Sequence, residues 1–132
     1  MKEKIYHILN INDSKGGSIL GYTIECKNSN LIVHFYGELD HHITEIARLK
    51  IDHKYSDSSL KNIILDLTQL TLMDSSGIGL IMGRYKNVIE KKGKIAIVSS
   101  NVYIDRIIKM SGLTKIIKVF SSIEDSLEYI ER

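Results

Sequence analysis

The run Leu72-Met73-Asp74-Ser75-Ser76-Gly77-Ile78-Gly79-Leu80-Ile81-Met82-Gly83-Arg84-Tyr85-Lys86 gathers a carboxylate, adjacent hydroxyls, glycines and cations in one short stretch. Such residues suit three chemistries: attack by a serine, cradling of a phosphate, or acceptance of a phosphoryl group. Attack through a Gly-x-Ser-x-Gly elbow is not supported, because position 73 is Met. His41 and His42 stand in tandem, and adjacent residues do not converge on one helix face, so nothing selects a Ser-His-Asp triad. The phosphate-cradling Gly-x-x-x-x-Gly-Lys-Ser/Thr pattern is missing too, since Gly79 and Gly83 are too close and Arg84 precedes Tyr85. Asp66 has the type of a phospho-accepting aspartate, but no acidic pair for magnesium accompanies it, and it reads as a strand-end polar residue.

A serine that is acted upon fits better. Ser75, in a turn at a helix start, is open to a kinase, and a phosphoryl group there adds nearly two negative charges beside the positive helix end. The fold tolerates such a group, whereas a docked surface would meet a bulky anion. The competing reading of Asp74, Ser75 or Ser76 is a plain helix cap. Gly79 and Gly83 sit inside the helix, where each costs about 1 kcal/mol relative to alanine. They fall beside the apolar stripe on the flank of Ser75, Ser76 and Lys86, while Leu80 points largely away from that stripe. Two accounts stand for this small-residue face: docking by another surface, or packing against a neighbouring helix of the same chain.

The elements that must hold these residues follow from periodicity. Tyr22–Lys27 and Leu31–Gly37 read as a hairpin around Asn28-Ser29-Asn30. Asp40 suits a helix N-cap, with Ile43, Ile46, Ala47 and Ile51 as a helical stripe behind it. Asn62–Leu67 is a continuous apolar run of the buried-strand type. The next helix puts Ile78, Ile81, Met82, Tyr85, Val88 and Ile89 on one face and stops at Gly93. Lys94–Ser99 is a further strand, Asn101 caps a helix through about Met110 that Gly112 ends, Ile116–Phe120 is a last strand, and Ser122 opens an acidic helix. The expectation is α/β: a mixed β-sheet with an N-terminal hairpin followed by alternating strands and helices. Residues 1–20, with the loop-like run Asn12–Ser18, read as an N-terminal extension of unknown structure before a domain at 21–132.

Composition narrows the partners. Eighteen basic against sixteen acidic residues leave a net charge of +2, and the densest basic cluster, Lys91, Lys92 and Lys94, looks like a helix end. No basic stripe invites nucleic acid. One cysteine, Cys26, allows no intrachain disulfide, and no Cys/His spacing suggests a metal. No run has the length of a membrane span, and Ile5–Ile11, interrupted by His7 and Asn10, is not read as a signal peptide. A reduced, soluble, cytoplasmic protein is the expectation, with no membrane and no direct nucleic-acid partner.

The run Met73–Gly79 followed by Gly83–Lys86 resembles the signature of anti-sigma-factor antagonists, bacterial members of the STAS domain family. Gly37-Glu38-Leu39-Asp40-His41-His42 and Met110-Ser111-Gly112-Leu113 with Ile116-Ile117 are similar to two further motifs of that family, in the same order. The resemblance spans about residues 22–120 and implies a single STAS-type domain that is not an enzyme. It implies that the unphosphorylated protein binds an anti-sigma factor, itself a serine kinase using ATP, and so releases a sigma factor, as in the control of sporulation. It implies that this kinase phosphorylates Ser75 to switch the antagonist off and that a serine phosphatase restores it. Asp40, Asp74, Ser76, Gly79, Leu80 and Gly83 would form the docking face. The protein itself would carry no cofactor, ATP or ADP belonging to the kinase. A scaffold role in another partner-switching or stress-signalling complex is the alternative, and a hydrolase using Ser75 or Ser76 is a third.

Overall fold

Two apolar runs, Ile63–Leu67 and Ile95–Val98, are buried along their whole length, which requires cover on both faces of the strands that carry them. The computed structural model describes residues 3–9 as backbone and residues 21–132 in full; the loop expected at 12–18 lies outside the described residues. The described strands form one sheet in the order β1-β2-β3-β4-β5-β6: β1 (Glu3–Leu9), β2 (Gly21–Lys27), β3 (Asn30–Leu39), β4 (Asn62–Met73), β5 (Ile95–Val98) and β6 (Lys118–Phe120). The first two pairings are antiparallel and the remaining three parallel. Residues 3–9, read from sequence as part of an extension, thus add an edge strand against β2.

Each parallel crossover carries one helix: α1 (His41–Tyr55), α2 (Ser75–Glu90) and α3 (Val102–Ser111). All three pack on one face. Their Ile43, Ala47, Ile51, Leu80, Ile81, Val88, Ile104 and Ile108 join Val33, Phe35, Ile63, Leu65 and Ile97 in the main core. The opposite face is covered in part by α4 (Ile123–Ile130), which sets Ile130, with Ile123, Leu127 and Tyr129, over Ile32, Ile64, Ala96 and Val98. Successive crossovers of one hand, always stepping the same way along the sheet, place their helices on the same side.

The helix ends are where side-chain chemistry puts them. Asp40, Asn101 and Ser122 each accept a backbone N–H from the first turn of the helix that follows, and Gly112 ends α3 at φ 88°. Three expectations need correction. β4 runs to Met73 instead of Leu67, and its added part carries exposed Gln69, Thr71 and Leu72, so burial periodicity gives no sign of it. β6 starts at Lys118 instead of Ile116, because the chain leaving a 3-10 turn, Leu113–Lys115, is still turning at Ile116 and Ile117. Gly93 is not the left-handed stop of α2; Lys92 takes that conformation, at φ 61°.

Gly93 is required by contact instead. A Cβ there would lie 1.8 Å from the Lys61 carbonyl oxygen and 2.8 Å from its carbon, backbone atoms that cannot swing aside. Gly93→Ala is expected to cost about 3 kcal/mol, at the upper end for inserted methyl groups in packed sites. A urea titration checks this, and an unchanged midpoint would contradict it.

Candidate functional site

The conspicuous run lies where β4 leaves the sheet. Leu39 of β3 pairs with Met73 of β4, and the Asp74 N–H donates to the Leu39 carbonyl at 3.4 Å. The next residue on each strand is an aspartate, and both act as caps. Asp40 Oδ1 accepts the Ile43 N–H at 3.0 Å, and Asp74 Oδ1 accepts the Ser76 N–H at 2.8 Å. Each carboxylate satisfies an orphan donor of its helix, the ordinary stabilisation of an N-terminus. Ser75 follows as the first residue of α2, exposed, with no hydrogen bond to its hydroxyl among those described. The capping role that competed for Ser75 belongs to Asp74.

The faces of α2 differ from the expected ones. Gly77, Leu80, Ile81, Arg84 and Val88 are buried, while Met82 and Ile89 are 39% and 53% exposed. Leu80, expected to point away from the core, is only 4% exposed. The reason is α1, which lies alongside α2 and covers a second flank of it. Arg84 marks that seam: its Nε stands 3.0 Å from Asp52 Oδ1, and the same oxygen accepts from Asn87 Nδ2 at 3.1 Å. Burial lowers the Arg84 pKa from its ordinary value, with Asp52 acting against that shift. No sequence signal distinguished Arg84 from a surface cation.

The glycines divide by task. A Cβ on Gly77 would sit 2.4 Å from Met73 Cγ and 3.3 Å from a Leu39 methyl, so this glycine lets the first turn of α2 close onto the strand ends. A Cβ on Gly79 or Gly83 would meet nothing within 4 Å. Packing against a helix of the same chain therefore does not account for them, and they remain an open, shallow face. Beside it, a groove of about 210 Å³ separates the helix starts, with His41, Thr44 and Arg48 on the α1 wall and Ser76, Gly79 and Leu80 on the α2 wall. Asp40, Asp74, Ser76 and Gly79 are thus brought together around Ser75, Gly83 continues the face one turn on, and Leu80 contributes only a wall.

The histidine–carboxylate pair that the fold does contain is elsewhere. His34 Nδ1 lies 2.6 Å from Asp66 Oδ2, and both side chains project from the sheet face opposite α2, alternating with core residues Val33 and Leu65. Asp66 is a buried, paired residue inside β4, so its strand-end reading is also revised. No described hydrogen bond joins a histidine to Ser75 or Ser76. What the arrangement offers is an exposed hydroxyl near the open surface of Gly79 and Gly83.

The sequence pattern of the STAS domain matches residues 22–126. This chain belongs to the STAS domain family. It is 39% identical over 101 residues to the anti-sigma F factor antagonist of Paenibacillus polymyxa, covering 76% of this chain and 86% of that protein. The anti-sigma factor antagonist SpoIIAA in its unphosphorylated form superposes with a TM-score of 0.76 at 25% identity, over 83% of this chain and 96% of SpoIIAA. The Bacillus cell fate determinant SpoIIAA in its phosphorylated form superposes at 0.69, also at 25% identity, over 83% and 98% of the two chains.

Two stability outcomes follow for this STAS domain. Asp74→Ala, which deletes the cap, is expected to lower stability by about 1 kcal/mol. Gly79→Ala and Gly83→Ala, each in open helix surface, are expected to raise it by up to about 1 kcal/mol. Thermal melts of the three variants check both, and destabilisation by either glycine replacement would contradict the open-face geometry.

Proposed function

We propose that this chain is an anti-sigma factor antagonist switched by phosphorylation of Ser75. In its unphosphorylated form it binds an anti-sigma factor that is also a serine kinase, and the sigma factor is released. The kinase, using its own ATP, then transfers a phosphoryl group to Ser75, and a serine phosphatase reverses the step. The observation that carries this reading is the division of labour at the start of α2. Asp74 makes the cap and Gly77 the close contact, which leaves Ser75 exposed with no structural duty. Similarity to antagonists of anti-sigma F factor, and to SpoIIAA in unphosphorylated and phosphorylated forms, supports it.

The switch works at the surface. A phosphoryl group on Ser75 meets the positive end of α2, whose first turn holds no acidic side chain, so the helix itself accommodates the charge. A partner seated over Gly79 and Gly83 would instead have to desolvate a dianion beside the Asp40 and Asp74 carboxylates. Binding falls while the fold persists.

Incubation with the cognate anti-sigma kinase and ATP is expected to give a single phosphoryl group on Ser75, absent from Ser75→Ala, by mass spectrometry. Ser75→Glu is expected to weaken capture at least tenfold, about 1.4 kcal/mol, with the melting temperature little changed. Absence of modification by an active kinase would overturn the reading in favour of a scaffold STAS module.

A further inference from the structure

The β3–β4 ladder does not run straight to Ser75; it slips twice on the way. His34 pairs with Asp66, but Tyr36 pairs with Gln69, so Leu67 and Thr68 stand where β3 has only Phe35. A second slip follows, between Gly37 opposite Leu70 and Glu38 opposite Leu72. An unslipped β4 would set Thr71, not Met73, beside Leu39, and would leave Asp74 and Ser75 about 6–7 Å further along at 3.3 Å per residue. The neighbouring aspartate caps of α1 and α2 exist only because of these two extra residues.

The first slip coincides with a polar bridge. Asp66 Oδ2 lies 2.6 Å from His34 Nδ1, and Asp66 Oδ1 accepts both the Thr68 N–H at 3.0 Å and the Thr68 hydroxyl at 2.7 Å. One carboxylate thereby grips the bulged residue with one oxygen and the neighbouring strand with the other. Glu25 of β2 faces the far ring nitrogen at 3.6 Å, so the described charged groups facing His34 are Glu25 from one adjacent strand and Asp66 from the other. Asp66 is 6% exposed, and a buried carboxylate is costly unless it is paired.

We propose that the His34–Asp66–Thr68 bridge is a positioning element for Ser75, holding from the opposite face of the sheet the first of the two slips that together deliver Asp74 and Ser75 beside Asp40. Its consequence for the kinase reaction rests on the function proposed above; its consequence for geometry does not. None of the three residues touches the phosphoryl acceptor, so they act through β4.

Titration behaves as the bridge requires. The hydrogen bond to Asp66 raises the His34 pKa above 6.5, against the lowering effect of burial. Burial raises the Asp66 pKa, but the hydrogen bonds from His34 and Thr68 together outweigh it and hold the carboxyl below its ordinary 3.8. The His34 contribution is complete below pH 6.5 and is lost as pH rises through its raised value. The Asp66 contribution is present above pH 3.8 and is lost as pH falls through its lowered value.

The test uses the full chain with His34→Val, which deletes the bridge, and His34→Asn, whose amide nitrogen takes the place of Nδ1 without titrating. NMR amide resonances of Asp74–Ser76 and the rate of Ser75 phosphorylation by the cognate kinase are read in parallel. Expected are displaced resonances in His34→Val, a fall in kcat/KM of about 10- to 100-fold as for a small misplacement of a reacting group, and retention of both in His34→Asn. The ratio of wild-type to His34→Asn rates should fall as pH rises through the His34 pKa. If His34→Val does not fold, Asp66→Leu, which removes both carboxylate oxygens from Thr68 and the ring, replaces it. Unmoved resonances in a folded bridge-deleted variant would overturn the proposal. Displaced resonances together with an unphosphorylated wild type would uphold the bridge and overturn the functional reading.

Discussion

The pairing of β3 with β4 is the constraint on which the rest of the molecule depends. Within the core it is a plain parallel ladder, Leu31 to Ile63 through His34 to Asp66, buried on both faces toward its start. Past His34 it departs from regularity twice, and each departure adds a residue to β4 alone. The outcome is that two strands of different length end together, each on an aspartate that starts a helix. Helices whose N-termini are held side by side lie alongside one another, and the Arg84–Asp52–Asn87 contacts join them further down. A bulge in a ladder thus fixes where an exposed serine stands.

The two faces of the sheet carry different loads. The face under α1, α2 and α3 carries the larger of the two apolar clusters. Among the described residues, the other face is apolar beneath α4, and toward β2 it becomes Glu25, His34 and Asp66. A half-covered antiparallel edge can present polar groups to water, unlike the parallel centre. Glu25 and His34 use that freedom; Asp66, on a strand with parallel neighbours, is buried, and leaving it unpaired would cost several kcal/mol.

Local signals were legible in the sequence and relational ones were not. Asp40, Asn101 and Ser122 declared themselves as caps, and Gly112 as a helix end, because a cap needs only its own helix. The buried runs at 63–67 and 95–98 were equally plain. The bulges left no trace, since Thr68 and Thr71 differ in nothing from strand-edge threonines until Asp66 and the Gly37 carbonyl are seen beside them. The α2 stripe was misplaced for a related reason. A single-face pattern assumes one neighbour, and α2 has two, so Leu80 and Arg84 went inside while Met82 and Ile89 stayed out. Family motifs pointed to the stretch around Ser75 but not to the seam that supports it.

The first turns of α2 show why stability and switching need not conflict in so small a domain. Asp74 and Gly77 carry the requirements of folding, one as hydrogen-bond acceptor and the other by absence of a side chain. Ser75, Gly79 and Gly83 carry none, and the glycines even cost helix propensity. Residues that weaken a helix without improving its packing are explained by something outside the chain that needs their shape. Under the proposed switch, a phosphate on such a surface leaves the core undisturbed. Under that proposal the free-energy difference between the two forms falls on the partner, the component that has to approach the changed surface.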